Sequence, residues 1–72
     1  MVKADIRARF GARLHALRKK RGWTQIELGE YLGLDRGYVS DLERGKRNPT
    51  LVTLQFIAKG FGVTVSRLLS GL

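Results

Sequence analysis

Gln25–Arg44 reads QIELGEYLGLDRGYVSDLER, and this stretch decides the fold. Thr24 stands just before it and Glu27 three residues further on, the pattern of a capping box. In that pattern the Thr24 hydroxyl accepts from the Glu27 amide, and the Glu27 carboxylate reaches back to the Thr24 amide. Ile26, Leu28, Tyr31 and Leu32 give the helix so opened its apolar surface. Gly33 ends it, since the turn needs positive φ and glycine takes that without steric cost. Asp35 caps the next helix, with Val39 and Leu42 turned inward, and Gly45 closes it. Gly29 is small where the two helices must touch. The spacing predicts helices over about 25–32 and 36–44 with a tight turn between them.

The same reading extends in both directions. Upstream, Asp5 caps a helix of about 6–21 whose apolar stripe is Ile6, Phe10, Leu14 and Leu17. Its last turn, Arg18-Lys19-Lys20-Arg21, places cations at the negative end of the helix dipole, and Gly22 follows as terminator. Downstream, Lys46-Arg47-Asn48-Pro49 is a loop. Thr50 caps a helix of about 51–59 with Leu51, Leu54, Ile57 and Ala58 on its inner face. Gly60 and Gly62 bracket Phe61, and a short helix of about 65–70 closes the chain. No segment alternates at period two for long enough to make a strand. The class is all-α: one compact domain of five helices spanning residues 1–72.

Size and charge narrow the function. Seventy-two residues give a thin core, which association with a second copy would help. Fourteen basic residues against six acidic leave a net charge of +8, which favours a polyanionic partner. Cysteine is absent, so disulfides and thiolate metal sites are excluded. No apolar run reaches the roughly 18 residues that cross a bilayer. Lys3, Arg7 and Arg9 interrupt any leader-like apolar run, so a cytoplasmic protein is expected. With a single His, no paired carboxylates in a recognisable pocket and no strand-borne phosphate loop, an enzyme is not expected. No metal, cofactor, membrane or small-molecule effector is expected either.

Gly22-Trp23-Thr24-Gln25, Leu28, Leu32-Gly33-Leu34, the run Leu42-Glu43-Arg44-Gly45-Lys46-Arg47-Asn48-Pro49-Thr50, and Leu54, Ala58 and Gly62-Val63 together carry a resemblance. The chain resembles the lambda-repressor-like (Cro/C1, XRE) family of helix-turn-helix regulators over roughly Ile6 to Leu69. The block Leu34–Arg44 also resembles the recognition helix of restriction–modification controller proteins. Gly37 stands where that likeness leads one to expect Thr or Ser.

In a helix-turn-helix the second helix enters the major groove and its N-terminal residues meet base edges. That assigns base reading to Arg36, Gly37, Tyr38 and Asp41. The Arg36 fork suits guanine O6 and N7. Gly37 has no side chain to read with but lets the backbone come close. Tyr38 either reaches DNA or packs. Asp41 either accepts from a cytosine amino group or braces Arg36 or Arg44, and bracing is favoured. Phosphate contacts fall to Thr24 and Gln25, because a helix N-terminus favours an anion. The resemblance implies that Gln25 uses its side chain as well as its amide. It adds Arg44, Lys46, Arg47, Asn48 and Thr50 as a loop along the backbone of the duplex. It further implies that Arg18 pairs with Glu43 and so ties the first helix to the third. His15 reads as a surface residue, Lys19 and Lys20 as solvated charge. Trp23, Phe10, Phe56, Phe61 and Tyr31 read as core or core edge.

Val65, Leu68, Leu69 and Leu72 are more apolar surface than one short terminal helix needs. Leu68 is assigned to the core, and Val65, Leu69 and Leu72 to a self-complementary dimer patch of the kind a two-fold axis requires. The expected function is a homodimeric regulator of transcription that binds a palindromic operator in double-stranded DNA. Two other readings stay open: the antitoxin of a toxin–antitoxin pair, and an interaction module that uses the fold without DNA.

Overall fold

Each helix of the computed structural model, which describes residues 5–72, opens on an oxygen supplied by the preceding residue. Asp5 accepts from the Arg7 amide and opens α1 (Ile6–Lys20). Thr24 accepts from the Glu27 amide and opens α2 (Gln25–Leu32), with both halves of the capping box formed. Asp35 accepts from the Gly37 amide and opens α3 (Arg36–Glu43). Thr50 and Thr64 do the same for α4 (Leu51–Phe61) and α5 (Val65–Leu68). The four expected N-caps, Asp5, Thr24, Asp35 and Thr50, are therefore in use, and Thr64 adds a fifth. Lys3 lies outside the described residues. No strand occurs among the described residues, and none of their helices is long and apolar enough to cross a membrane.

All five helices contribute to one core. Phe10 and Leu14 come from α1, Leu28 and Leu32 from α2, Val39 and Leu42 from α3, Ile57, Ala58 and Phe61 from α4, and Leu68 from α5. Leu14, Leu28, Val39, Ile57 and Leu68 are sealed completely from solvent. Burying a large apolar side chain contributes roughly 1.5–3 kcal/mol, so this cluster is a main source of stability for a domain this small.

Several apolar positions lie elsewhere than the periodicity suggested. Leu51 continues the inner stripe of α4 by one turn, but the core ends at Leu54, and Leu51 stands 79% exposed. Ile6 likewise overshoots the core at the start of α1. Phe56 and Tyr31 are exposed rather than buried, although the Tyr31 ring lies 4.9 Å from that of Trp23. Helix α4 runs on through Gly60 to Phe61 and ends at Gly62, whose φ is +71°. Gly60 is thus a packing residue: a Cβ there would run into the Leu32 methyl group. Helices α1, α3 and α5 end one or two residues earlier than the pattern suggests, with Arg21, Arg44 and Leu69 as their C-caps.

Helix α3 is held between α1 and α2. At Gly11 the two backbones come so close that a Cβ would fall 2.5 Å from the Leu42 carbonyl oxygen and against that of Glu43. Gly33, at φ +70°, turns the chain between α2 and α3. The Leu34 amide then donates back to the Gly29 carbonyl at 2.8 Å, which fixes the angle at which α3 leaves the turn.

Candidate nucleic-acid interface

A buried ion pair sets the position of α3. Arg18 of α1 and Glu43 at the end of α3 have side chains 8% and 4% exposed. The Arg18 fork donates Nε to Glu43 Oε2 at 2.6 Å and Nη2 to Oε1 at 3.0 Å. Its Nη1 donates to the Trp23 carbonyl at 2.7 Å, so the same guanidinium also holds the approach to α2. Gln25 Nε2 donates to Glu43 Oε1 at 3.2 Å, and His15 Nδ1 lies 3.0 Å from that oxygen. Burial pushes the Glu43 carboxyl up, but the hydrogen bonds from Arg18, His15 and Gln25 outweigh it and hold the group below its ordinary value. The Arg18 guanidinium is shifted upward by its bonds to Glu43. Both groups stay charged, and neither leaves a buried polar atom without a partner.

Above this pair the N-terminus of α2 and the outer face of α3 form an open concave surface of about 510 Å³. Thr24, Gln25 and Ile26 line one side, and Arg36, Gly37, Ser40, Asp41 and Arg44 the other. The free amides and positive dipole end of α2 therefore open onto the same hollow as two arginines. The Thr24 hydroxyl accepts from the Glu27 amide at 3.0 Å, which leaves its own proton free to donate outward. Gln25 commits one amide hydrogen to Glu43 and keeps the second. Its side chain is thereby pinned at the mouth of the hollow by the buried pair beneath.

The Helix-turn-helix family model matches residues 14–68. The chain belongs to that family. Control protein C.MunI of a Mycoplasma species is 46% identical over 67 residues, 92% of this chain and 90% of that protein. The restriction-modification controller protein C.AhdI from Aeromonas hydrophila has a similar structure, with TM-score 0.80 and 40% identity over 93% of this chain and 98% of that one. C.Esp1396I, a controller protein solved as a tetramer in complex with its natural 35 base-pair operator, matches with TM-score 0.78 and 30% identity, covering 93% and 92% of the two chains.

Against this family frame, the structure brings together most of the expected residues. Arg36, Gly37 and Asp41 share the hollow with Thr24, Gln25 and Arg44, while Lys46 and Arg47 stand exposed in the loop that follows. Gly37 donates its amide to the Asp35 carboxylate at 2.8 Å, and a Cβ at Gly37 would press on that same oxygen. The missing side chain thus leaves the cap undisturbed and the hollow open. Asp41 is braced, but by Arg47 at 3.2 Å rather than by Arg36 or Arg44. One turn of α3 separates Asp41 from the chain reversal at Gly45, which swings Arg47 back over it. Arg47 also covers the Tyr38 ring at 5.5 Å, and Tyr38 packs half-buried against the core, outside the hollow. Asn48 lines an apolar groove with Pro49 and Leu54 instead of the hollow. The Thr50 hydroxyl serves the cap of α4.

His15 is exposed, as expected of a surface residue, and it also sits against the Arg18–Glu43 pair. Its spacing of three from Arg18 on one helix was the available signal. Ser40 is four residues after Arg36, so helical spacing alone puts it on the same face of the hollow.

Proposed function

We propose that this chain is a sequence-specific, double-stranded-DNA-binding regulator of transcription that works as a homodimer on a palindromic operator. The observation that carries this is the shared hollow: the amide end of α2 opens beside Arg36, Ser40 and Arg44 on the free face of α3. With α3 in the major groove, Arg36 in its first turn reads a base edge and Asp41 sets Arg47 on the adjoining strand. Thr24 and Gln25 hold a phosphate at the α2 N-terminus. Arg44, Lys46 and Arg47 hold others along the same strand, with Asn48 and Thr50 at the end of that path. These contacts position the protein, while Arg36 supplies discrimination. Val65, Leu69 and Leu72 form the dimer patch; all three remain half-buried at the rim of the core, where a second copy can cover them. A relative, C.Esp1396I, is described as a tetramer on its operator, which supports assembly on DNA. The likeness to C.MunI and C.AhdI favours control of a restriction–modification system. The place of action is the cytoplasm, and the chain is a binding protein, not an enzyme.

Affinity for a random-sequence duplex, measured from about 50 to 300 mM salt, tests the phosphate path. Each lost phosphate contact lowers the log–log salt slope by about 0.9. Arg44→Ala and Lys46→Ala should each show that decrement. An unchanged slope in both variants, or no duplex binding at low salt, would remove the reading.

A further inference from the structure

Four of the chain's fourteen basic residues gather away from the hollow. Arg13, Lys20, Arg21 and Arg67 rim a second cleft of about 490 Å³, floored by Ala16, Leu17, Phe61 and Val63. At about 100° per residue, Arg13, Ala16 and Lys20 lie on the side of α1 opposite Gly11, His15 and Arg18, which face α3. The cleft therefore looks away from the recognition helix, out of reach of a duplex seated there.

Two of its arginines are fixed in place. Arg13 donates to the Leu68 carbonyl at 3.2 Å and the Arg67 carbonyl at 3.0 Å. Arg21 donates to the Phe61 carbonyl at 2.6 Å and lies 5.4 Å from the rings of Trp23 and Phe61. Those carbonyls are the ends of α4 and α5, so the bonds tie the helices together without neutralising the guanidinium charge. Among the described residues no carboxylate lines the cleft, and none pairs with Arg13, Lys20, Arg21 or Arg67.

From this geometry we infer that the cleft docks an acidic, amphipathic segment of a partner protein while α3 is on DNA. The rim calls for carboxylates. The floor of leucine, valine and phenylalanine calls for apolar side chains between them, which a phosphate backbone does not offer. Pre-fixed arginines lower the ordering cost of docking, since their rotamers are already held. A regulator seated on DNA by one face and open to an acidic protein segment on the other has the layout needed to recruit or block a second protein at a promoter. This goes beyond the DNA-binding reading, and peptide binding is read first on the DNA-free protein, so either can fail while the other stands.

The test uses the full chain and a fluorescent helical peptide with Leu and Phe at i, i+3, i+4 and i+7 and Asp and Glu flanking that stripe, read by anisotropy. Lys20→Glu/Arg67→Glu is the informative variant, because both side chains are exposed and neither makes a side-chain hydrogen bond. We expect the double variant to bind the peptide roughly tenfold or more weakly, as loss of charge complementarity does at an interface. Its duplex affinity should change less than about threefold, as screening over a Debye length of about 8 Å implies. Its melting temperature should fall by only a few degrees, since Lys20→Glu loses a cation at the C-terminal end of α1. Saturating random duplex should leave peptide binding in place, and a peptide with Leu and Phe replaced by Ser should bind more weakly. Equal peptide binding by wild type and variant would overturn the proposal. So would displacement of the peptide by duplex, or an equal loss of duplex affinity, either of which would make the cleft a second nucleic-acid surface.

Discussion

At the scale of single residues, Glu43 carries the most consequence. It accepts from Arg18, Gln25 and His15 and so joins α1, the start of α2 and the end of α3 at one carboxylate. Removing one partner of a buried pair leaves the other charge uncompensated, at a cost of about 3–5 kcal/mol. That is a large share of the roughly 5–15 kcal/mol that stabilises a whole domain. Glu43→Gln should therefore lower the urea midpoint sharply or abolish the cooperative transition; an unaltered midpoint would contradict the role given to the pair. The pH dependence follows from the sign of the shift. Glu43 is held below its ordinary value of about 4.3, so its contribution is full above that pH and is lost as pH falls through the folded value. The urea midpoint should be level from pH 7 to about 5 and fall below about 4, with a shallower acid limb in Glu43→Gln. Asp5, also lowered by its bonds with Arg7, supplies part of what remains.

At the scale of elements, the sequence was most legible where chemistry is local. Asp5, Thr24, Asp35 and Thr50 cap helices because a short side-chain oxygen reaches an amide two or three residues on, and nothing distant has to agree. The Arg18–Glu43 pair was legible too, but only through the family resemblance, since no local rule joins residues 25 apart. What could not be read was how far the core extends. Leu51 and Ile6 obey the helical period yet lie past the end of the core, and period alone does not say where packing stops. Gly11 went unremarked because it sits in mid-helix with no turn to announce it. Its reason is the α3 backbone passing alongside. Gly11→Ala should accordingly cost about 1–3 kcal/mol by overpacking, although alanine is the better helix former. Thermal or urea unfolding reads this directly; a stabilised Gly11→Ala would mean that α1 and α3 are not in close contact. In the site, helical spacing points Asp41 to Arg36 or Arg44 as a brace, but the reversal at Gly45 returns Arg47 to it instead.

At the scale of the whole molecule, charge and apolar surface are divided between faces. One face carries the hollow of α2 and α3, the opposite side of α1 carries the acid-seeking cleft, and the C-terminal rim carries the half-buried apolar residues. If Leu72 belongs to a dimer patch, Leu72→Glu should weaken self-association roughly tenfold, about 1.4 kcal/mol, with helical content kept. Sedimentation over a range of concentrations reads it, and a wild-type chain that remains a single copy throughout would rule the patch out. The central claim is that α3 reads base sequence through Arg36 in two copies at once. Selection of bound sites from random duplex DNA at about 150 mM salt, on wild type and on Arg36→Ala, tests it most directly. The account predicts a palindrome with a guanine in each half-site and half-site centres about 34–36 Å apart, with that guanine lost in Arg36→Ala. Enrichment of no motif, or the same motif from Arg36→Ala, would contradict it.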